Sequence, residues 1–174
     1  MTRPLDDRAF ATAIDANRDA LFRYFLRRME DREDAAEAFG ELLLTAWNVR
    51  RRMPADEAEA RMWLFGVARN ILRTERRRLA RRSDAVRYLV EQVRAAAGHD
   101  DDAVHRDVRE AIAELPDDDG ELIRLIYWDG LTSSEAGAVL RLNASTVRNR
   151  LARVKADLRL KMSSRDEPVS TRHP

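Results

Sequence analysis

The sequence predicts an all-α chain folded as two small helical domains joined by a flexible linker, and three observations carry that reading. No segment alternates apolar with polar residues over six positions, and β-branched residues are sparse, so the strand signal is missing. Apolar residues recur instead at spacings of three and four along most of the chain. At 95–104 the run AAAGHDDDAV loses that period and joins a glycine to three consecutive acids, the composition of a solvated connection. The domains are therefore expected at 1–94 and 107–162, with 95–106 as linker and 163–174, which has nothing to bury, as a disordered tail. Lobes of this size are only marginally stable alone.

The first helix is expected over roughly 8–29, where Phe10, Ile14, Leu21, Phe22, Phe25 and Leu26 fall at helical spacings, with an interruption near Asn17. A second runs from Asp34 to about Val49 and places Ala35, Phe39, Leu42, Leu43 and Ala46 on one face. Pro54, lacking an amide proton, ends that run. A third, about Ala58 to Arg82, is the longest and most basic. In the second domain Val108, Ala111, Ile112 and Leu115 form one apolar face. Pro116 to Gly120 turns, Leu122 to Trp128 forms the next helix, and Gly130 stops it.

Composition narrows the chemistry. Of 174 residues 44% are hydrophobic and 36% charged, which excludes an extended disordered chain. Thirty-two basic and thirty-one acidic residues leave a net charge of +1, so attraction to nucleic acid must come from local segregation. There is no cysteine, and the three histidines are scattered; no thiol nucleophile and no metal site is expected. The apolar runs are short and MTRPLDDRAF does not resemble an export signal, so a soluble, cytoplasmic protein without membrane insertion is expected. Lysine occurs only at 155 and 161, making thirty of the basic residues arginine, the fork-shaped donor suited to phosphate and base edges.

Residues 131–158, LTSSEAGAVLRLNASTVRNRLARVKADL, carry the strongest local signal. Thr132 with Glu135 is a capping box, and Asn143 is a second N-cap after a break at Arg141 and Leu142. A helix of barely two turns followed by a long one is helix-turn-helix spacing. In the long helix Val147, Leu151, Val154 and Leu158 share a stripe at ~100° per residue, while Ser145, Arg148, Asn149 and Arg153 project away from it. Arginine, asparagine and hydroxyl groups on the N-terminal turns suit a major groove.

The third helix segregates charge as well. Leu64, Val67, Ala68, Ile71, Leu72 and Leu79 form its apolar arc, and Arg69, Arg73, Arg76 and Arg77 lie opposite. From Arg69 to Arg82 seven arginines face one acid, Glu75. Such a stripe tracks phosphates, with a steep salt dependence, unless acids such as Asp56, Glu57 and Glu59 neutralise it. Trp63 and Phe65 beside it either pack in the core, the commoner role, or stack on unpaired bases.

Three ordered motifs then resemble a known family. AAEAFGELLLTAW at 35–47 is similar to A-E-D-L-V-Q-E-x-F-L-x-A-W, and WLFGVARNILRTERRR at 63–78 to W-L-x-x-I-A-R-N-x-x-x-D-x-x-R-R. Residues 114–159 resemble a region with L-P, a G-L before the motif and T-V-[KR]-x-R-L. Together they resemble a bacterial RNA polymerase sigma factor of the extracytoplasmic-function (ECF) group of the sigma-70 family, over about 21–160. The resemblance implies a region 2 bundle and a region 4 helix-turn-helix domain, and a specificity subunit with no enzymatic activity and no cofactor. It implies core RNA polymerase, promoter DNA and an anti-sigma factor as partners. Glu37, Glu41 and Leu44 would meet polymerase. Arg50, Arg51 and Arg52 of the loop, with Arg69, Asn70, Arg73, Arg76 and Arg77, would read and melt the minus-ten element. Ser145, Thr146, Arg148, Asn149 and Arg153 would bind the minus-thirty-five duplex.

Four positions depart from the pattern: Gly40 for glutamine, Thr74 for aspartate, Ala136 for isoleucine and Arg141 for glycine. The last points to a distorted turn or an arginine in the left-handed region. Two other readings compete: a sigma-like mimic that sequesters an anti-sigma factor without binding DNA, and a metal enzyme using Asp100 to Asp102 or Asp117 to Asp119. A mimic has no use for the arginine stripe, and the acids sit in a linker or at a helix start, where solvation and the helix dipole account for them.

Overall fold

The computed structural model describes the backbone of residues 7–94 and 103–165 and the side chains of 7–78 and 108–163. Its helices divide between two compact units, Met1–Gly98 and His99–Pro174. Among the described residues there is no strand.

In the first unit, α1 (Asp7–Leu26), α2 (Arg32–Asn48) and α3 (Glu57–Arg94) pack pairwise against one another. The interruption expected near Asn17 does not occur. Asn17 is buried, and its amide donates to the Ala13 carbonyl at 2.8 Å, satisfying the side chain within the helix rather than against it. Asp31 caps α2 by accepting the Glu33 N–H at 2.7 Å. The helix ends at Asn48, and one 3₁₀ turn (Arg50–Arg52) precedes Pro54. The core centres on Leu21, Tyr24, Phe25, Leu42, Leu64 and Phe65, all fully buried. Tyr24 packs edge-on to Phe25 and Phe65 with ring centroids 5.4 and 5.7 Å apart. The third helix continues twelve residues past the expected end at Arg82. Polar and charged residues hold a helix as well as apolar ones where no proline intervenes.

In the second unit, α4 (Ala103–Ala113) packs on α5 (Asp117–Tyr127) and α7 (Ala144–Arg165), and α6 (Ser133–Leu140) packs between α5 and α7. Ile112, Leu115, Ile123 and Val154 form a buried cluster, with Trp128, Leu151 and Leu158 packed against it. The segment expected to turn, 116–120, is mostly helix. Pro116 caps α5, and three aspartates fill its first turn, where the helix dipole favours them. Gly130, at φ +69°, stops α5 as expected and lets the Leu131 N–H reach the Leu125 carbonyl at 3.0 Å. Helix α4 begins inside the stretch expected as linker, and α7 runs three residues into the expected tail. The rest of those two expectations, 95–102 and 166–174, lies outside the described residues.

Candidate nucleic-acid interface

The geometry of α3 starts with its cap: Asp56 accepts the Glu59 N–H at 3.0 Å. Leu64, Ala68, Ile71 and Leu72 seat the helix, which turns Asn70, Arg73, Arg76 and Arg77 outward and leaves Arg69 half-buried. Among the described residues no carboxylate pairs with Arg73, Arg76 or Arg77. Asp56, Glu57 and Glu59 do not neutralise them, and Glu75 is taken by Arg78 at 3.6 Å. Thr74, the departure at the aspartate position, donates its hydroxyl to the Asn70 carbonyl at 3.1 Å.

The three loop arginines fall into two kinds. Arg50 stacks on Trp47 at 3.9 Å, donates to its carbonyl at 3.0 Å and pairs with Asp7 at 2.7 Å. Trp47 in turn meets Phe10 edge-on at 5.5 Å. A cation over an indole is worth about 0.5–2 kcal/mol, so Arg50 keys the loop to α1 and α2. Arg51 and Arg52 remain as the loop's exposed cations. Of the flanking aromatics, Phe65 is fully buried and only Trp63 is part-exposed, so stacking on a base is open to Trp63 alone.

The helix-turn-helix forms as its local signals dictate. Thr132 accepts the Glu135 N–H at 3.3 Å while Glu135 accepts the Thr132 N–H at 2.7 Å, the reciprocal box. Arg141 occupies the left-handed region at φ 58°, ψ 41°. Asn143 then caps α7, accepting from the Thr146 N–H at 2.8 Å and the Ser145 hydroxyl at 2.7 Å. With Val147 and Val154 fully buried, Ser145, Arg148 and Asn149 face solvent, and no other side chain among the described residues engages Arg148 or Asn149. Thr146 is half-buried. Arg153 is engaged within the protein: its guanidinium donates to Asp119 at 3.0 Å, and Arg150 lies 3.5 Å from the other oxygen of the same carboxylate.

Glu37, Glu41 and Leu44 lie on the outward face of α2, where Leu44 is 64% exposed. Gly40 sits beside them with nothing within 4 Å of where a Cβ would stand.

Sequence reasoning passed over one residue here and misjudged another. Gly137 is required by packing, because a Cβ would lie 2.7 Å from the Leu142 carbonyl oxygen. A glycine inside an eight-residue helix next to a turn was the available signal. Asp119 is buried rather than solvated, and nothing local announces it. Among the described residues no group of His, Asp and Glu could hold a metal ion, and no helix is long and apolar enough to cross a membrane.

A helical unit built on a capped helix-turn-helix is a DNA-binding class of domain, and residues 105–158 match the family model described as sigma-70, region 4. The chain is 29% identical over 151 residues to the ECF RNA polymerase sigma factor SigL of Mycobacterium tuberculosis, covering 84% of each. It is 27% identical over 160 residues to SigK of Mycobacterium bovis, covering 88% of this chain and 86% of that one. Among solved structures, CnrH in complex with the cytosolic domain of CnrY superposes with a TM-score of 0.63 at 24% identity, covering 93% and 92%. RpoE of Bartonella quintana, in complex with the anti-sigma factor NepR, gives 0.61 at 20% identity, covering 91% and 98%. Both share the fold. With the three ordered motifs, these matches make the chain similar over most of its length to sigma factors of the ECF group, regulatory proteins of transcription initiation.

Proposed function

We propose that this chain is a promoter-specificity subunit that binds core RNA polymerase, opens the minus-ten element and reads the minus-thirty-five duplex. Residues 1–94 serve as region 2, 107–162 as region 4 and 95–106 as the linker between them. The observation that carries this is the pair of uncompensated polar faces: Arg73, Arg76 and Arg77 on α3, and Arg148 with Asn149 on α7. In a chain of net charge +1 such segregation is a device for gripping phosphate at two places. Arg51, Arg52, Arg69 and Asn70 extend the first face, and Ser145 and Thr146 the second. Strand opening costs a few kcal/mol per extruded base, which stacking on Trp63, worth about 1–3 kcal/mol, and backbone charge offset.

Polymerase docks on the outward face of α2 through Glu37, Glu41 and Leu44, an exposed leucine flanked by acids. An anti-sigma factor restrains the subunit, by analogy with the NepR complex in which RpoE was solved. The protein acts in the cytoplasm, with polymerase. A mimic that only sequesters an anti-sigma factor would leave the arginine faces without purpose.

Run-off transcription with purified core polymerase on a promoter library tests the reading; silence on every promoter overturns it. Replacing Arg76 and Arg77 with alanine weakens binding to all promoters and lowers the salt slope by about 0.7 per lost single-strand phosphate contact. Replacing Arg148 and Asn149 relaxes upstream selection, at about 1–3 kcal/mol per lost base contact.

A further inference from the structure

The apolar stripe of α7 seats the helix, with Val147 and Val154 fully buried. A directional contact outside that stripe adds a second constraint on the azimuth. Asp119, in the first turn of α5, supplies one: its Oδ2 receives the Arg153 guanidinium at 3.0 Å and its Oδ1 faces Arg150 Nε at 3.5 Å. The Asp119 side chain is only 9% exposed while that of Arg153 is 62% exposed, so the carboxylate is the fixed end and the arginine comes to it. A carboxylate so buried demands cationic partners.

The fixed end is itself anchored. A Cβ on Gly120 would lie 3.2 Å from the Ile112 carbonyl oxygen and 3.1 Å from Arg124 Nη1, so the start of α5 is seated hard against α4. On α7, at ~100° per residue, Arg150 and Arg153 flank the buried stripe on one side, Ser145 and Asn149 point outward, and Arg148 lies on the other flank. Any rotation that breaks the fork carries Arg148 and Asn149 with it. At a side-chain radius of about 5–6 Å, a turn of roughly 20° displaces their head groups by about 2 Å, beyond the tolerance of a hydrogen bond to a base edge.

We propose that Asp119 is a positioning residue for base reading, and that Arg153 serves this fork rather than a backbone phosphate. The inference rests on the DNA reading of α7 given above. It concerns a contact spanning 34 positions of sequence that no local motif contains.

The test uses holoenzyme assembled from the full chain and core polymerase. Its probes are a promoter fragment selected from a random library by the wild type and the same fragment with its upstream element scrambled. Arg153→Ala should lower the matched-to-scrambled affinity ratio about tenfold and leave the slope of log K against log salt unchanged. If Arg153 holds a phosphate instead, both fragments weaken alike and the slope shrinks by about 0.9, which overturns the proposal. Asp119→Asn, which keeps the shape and removes the charge, should lower the ratio similarly while releasing cations that steepen the slope. Where that variant is poorly folded, Arg153→Ala decides alone, since the Arg153 side chain is largely exposed. In the free protein, amide exchange over 144–150 should quicken in both variants. Discrimination retained in both refutes the positioning role only. A wild type that binds matched and scrambled fragments equally refutes the DNA reading of α7, and the role of Asp119 falls with it.

Discussion

Replacing Gly137 with alanine sets two effects of opposite sign against each other. In a helix interior alanine is favoured over glycine by about 1 kcal/mol. The added Cβ, however, would stand 2.7 Å from the Leu142 carbonyl oxygen and 3.3 Å from Val147 Cγ2. Ordinary carbon-to-carbonyl contacts lie near 3.3–3.6 Å, so the turn would have to open by about 0.6 Å or more. Leu142 cannot yield by rotating a side chain, because the clashing atom is backbone, held between Arg141 in the left-handed region and the Asn143 cap. Overpacking costs about 1–3 kcal/mol, and a backbone clash belongs at the upper end, giving a net loss of about 2 kcal/mol. For a unit of this size that lowers the melting midpoint by roughly 8–16 °C, followed by far-ultraviolet circular dichroism. Gly40→Ala and Gly66→Ala are the controls: neither glycine has anything within 4 Å of a Cβ. Each should therefore gain about 0.5–1 kcal/mol. A Gly137→Ala protein melting at or above the wild type would refute the account of the turn.

The other expectations concern the same elements. Arg141→Gly removes the Cβ strain of a residue at φ 58° and should raise the unfolding free energy of the second unit in urea by about 0.5–1 kcal/mol after glycine's larger unfolded-state entropy is deducted. Thr132→Ala breaks the capping box of an eight-residue helix and should cost about 1 kcal/mol in the same measurement. Leu42→Ala should destabilise the first unit by about 2–5 kcal/mol because the side chain is fully buried. Leu44→Ala, two residues on but exposed, should change stability by no more than about 0.5 kcal/mol while reducing co-purification with core polymerase.

What could be read from the chain alone was whatever its physics kept local. The caps at Thr132 and Asn143, the stop at Gly130 and the stripe Val147, Leu151, Val154, Leu158 each depend on residues within one or two helical turns, and each appears as expected. The arginine face of α3 was legible for the same reason, since charge spaced at three and four positions must share a side of a helix. Local reasoning misjudged Asn17 and the 116–120 segment. In the first, a polar side chain finds its partner inside the helix; in the second, proline and aspartates that often mark a turn open a helix instead.

Other features were settled only by contacts between distant segments. That Phe65 packs on Tyr24, that Arg50 meets Asp7, and that Arg153 is drawn to Asp119 depends on which helices lie side by side. Composition and periodicity determine which face of each helix is apolar and where each helix can start. They do not determine which polar group of one helix lies within 3 Å of another, because hydrogen bonds and ion pairs act over distances far shorter than the spacing between neighbouring helix axes.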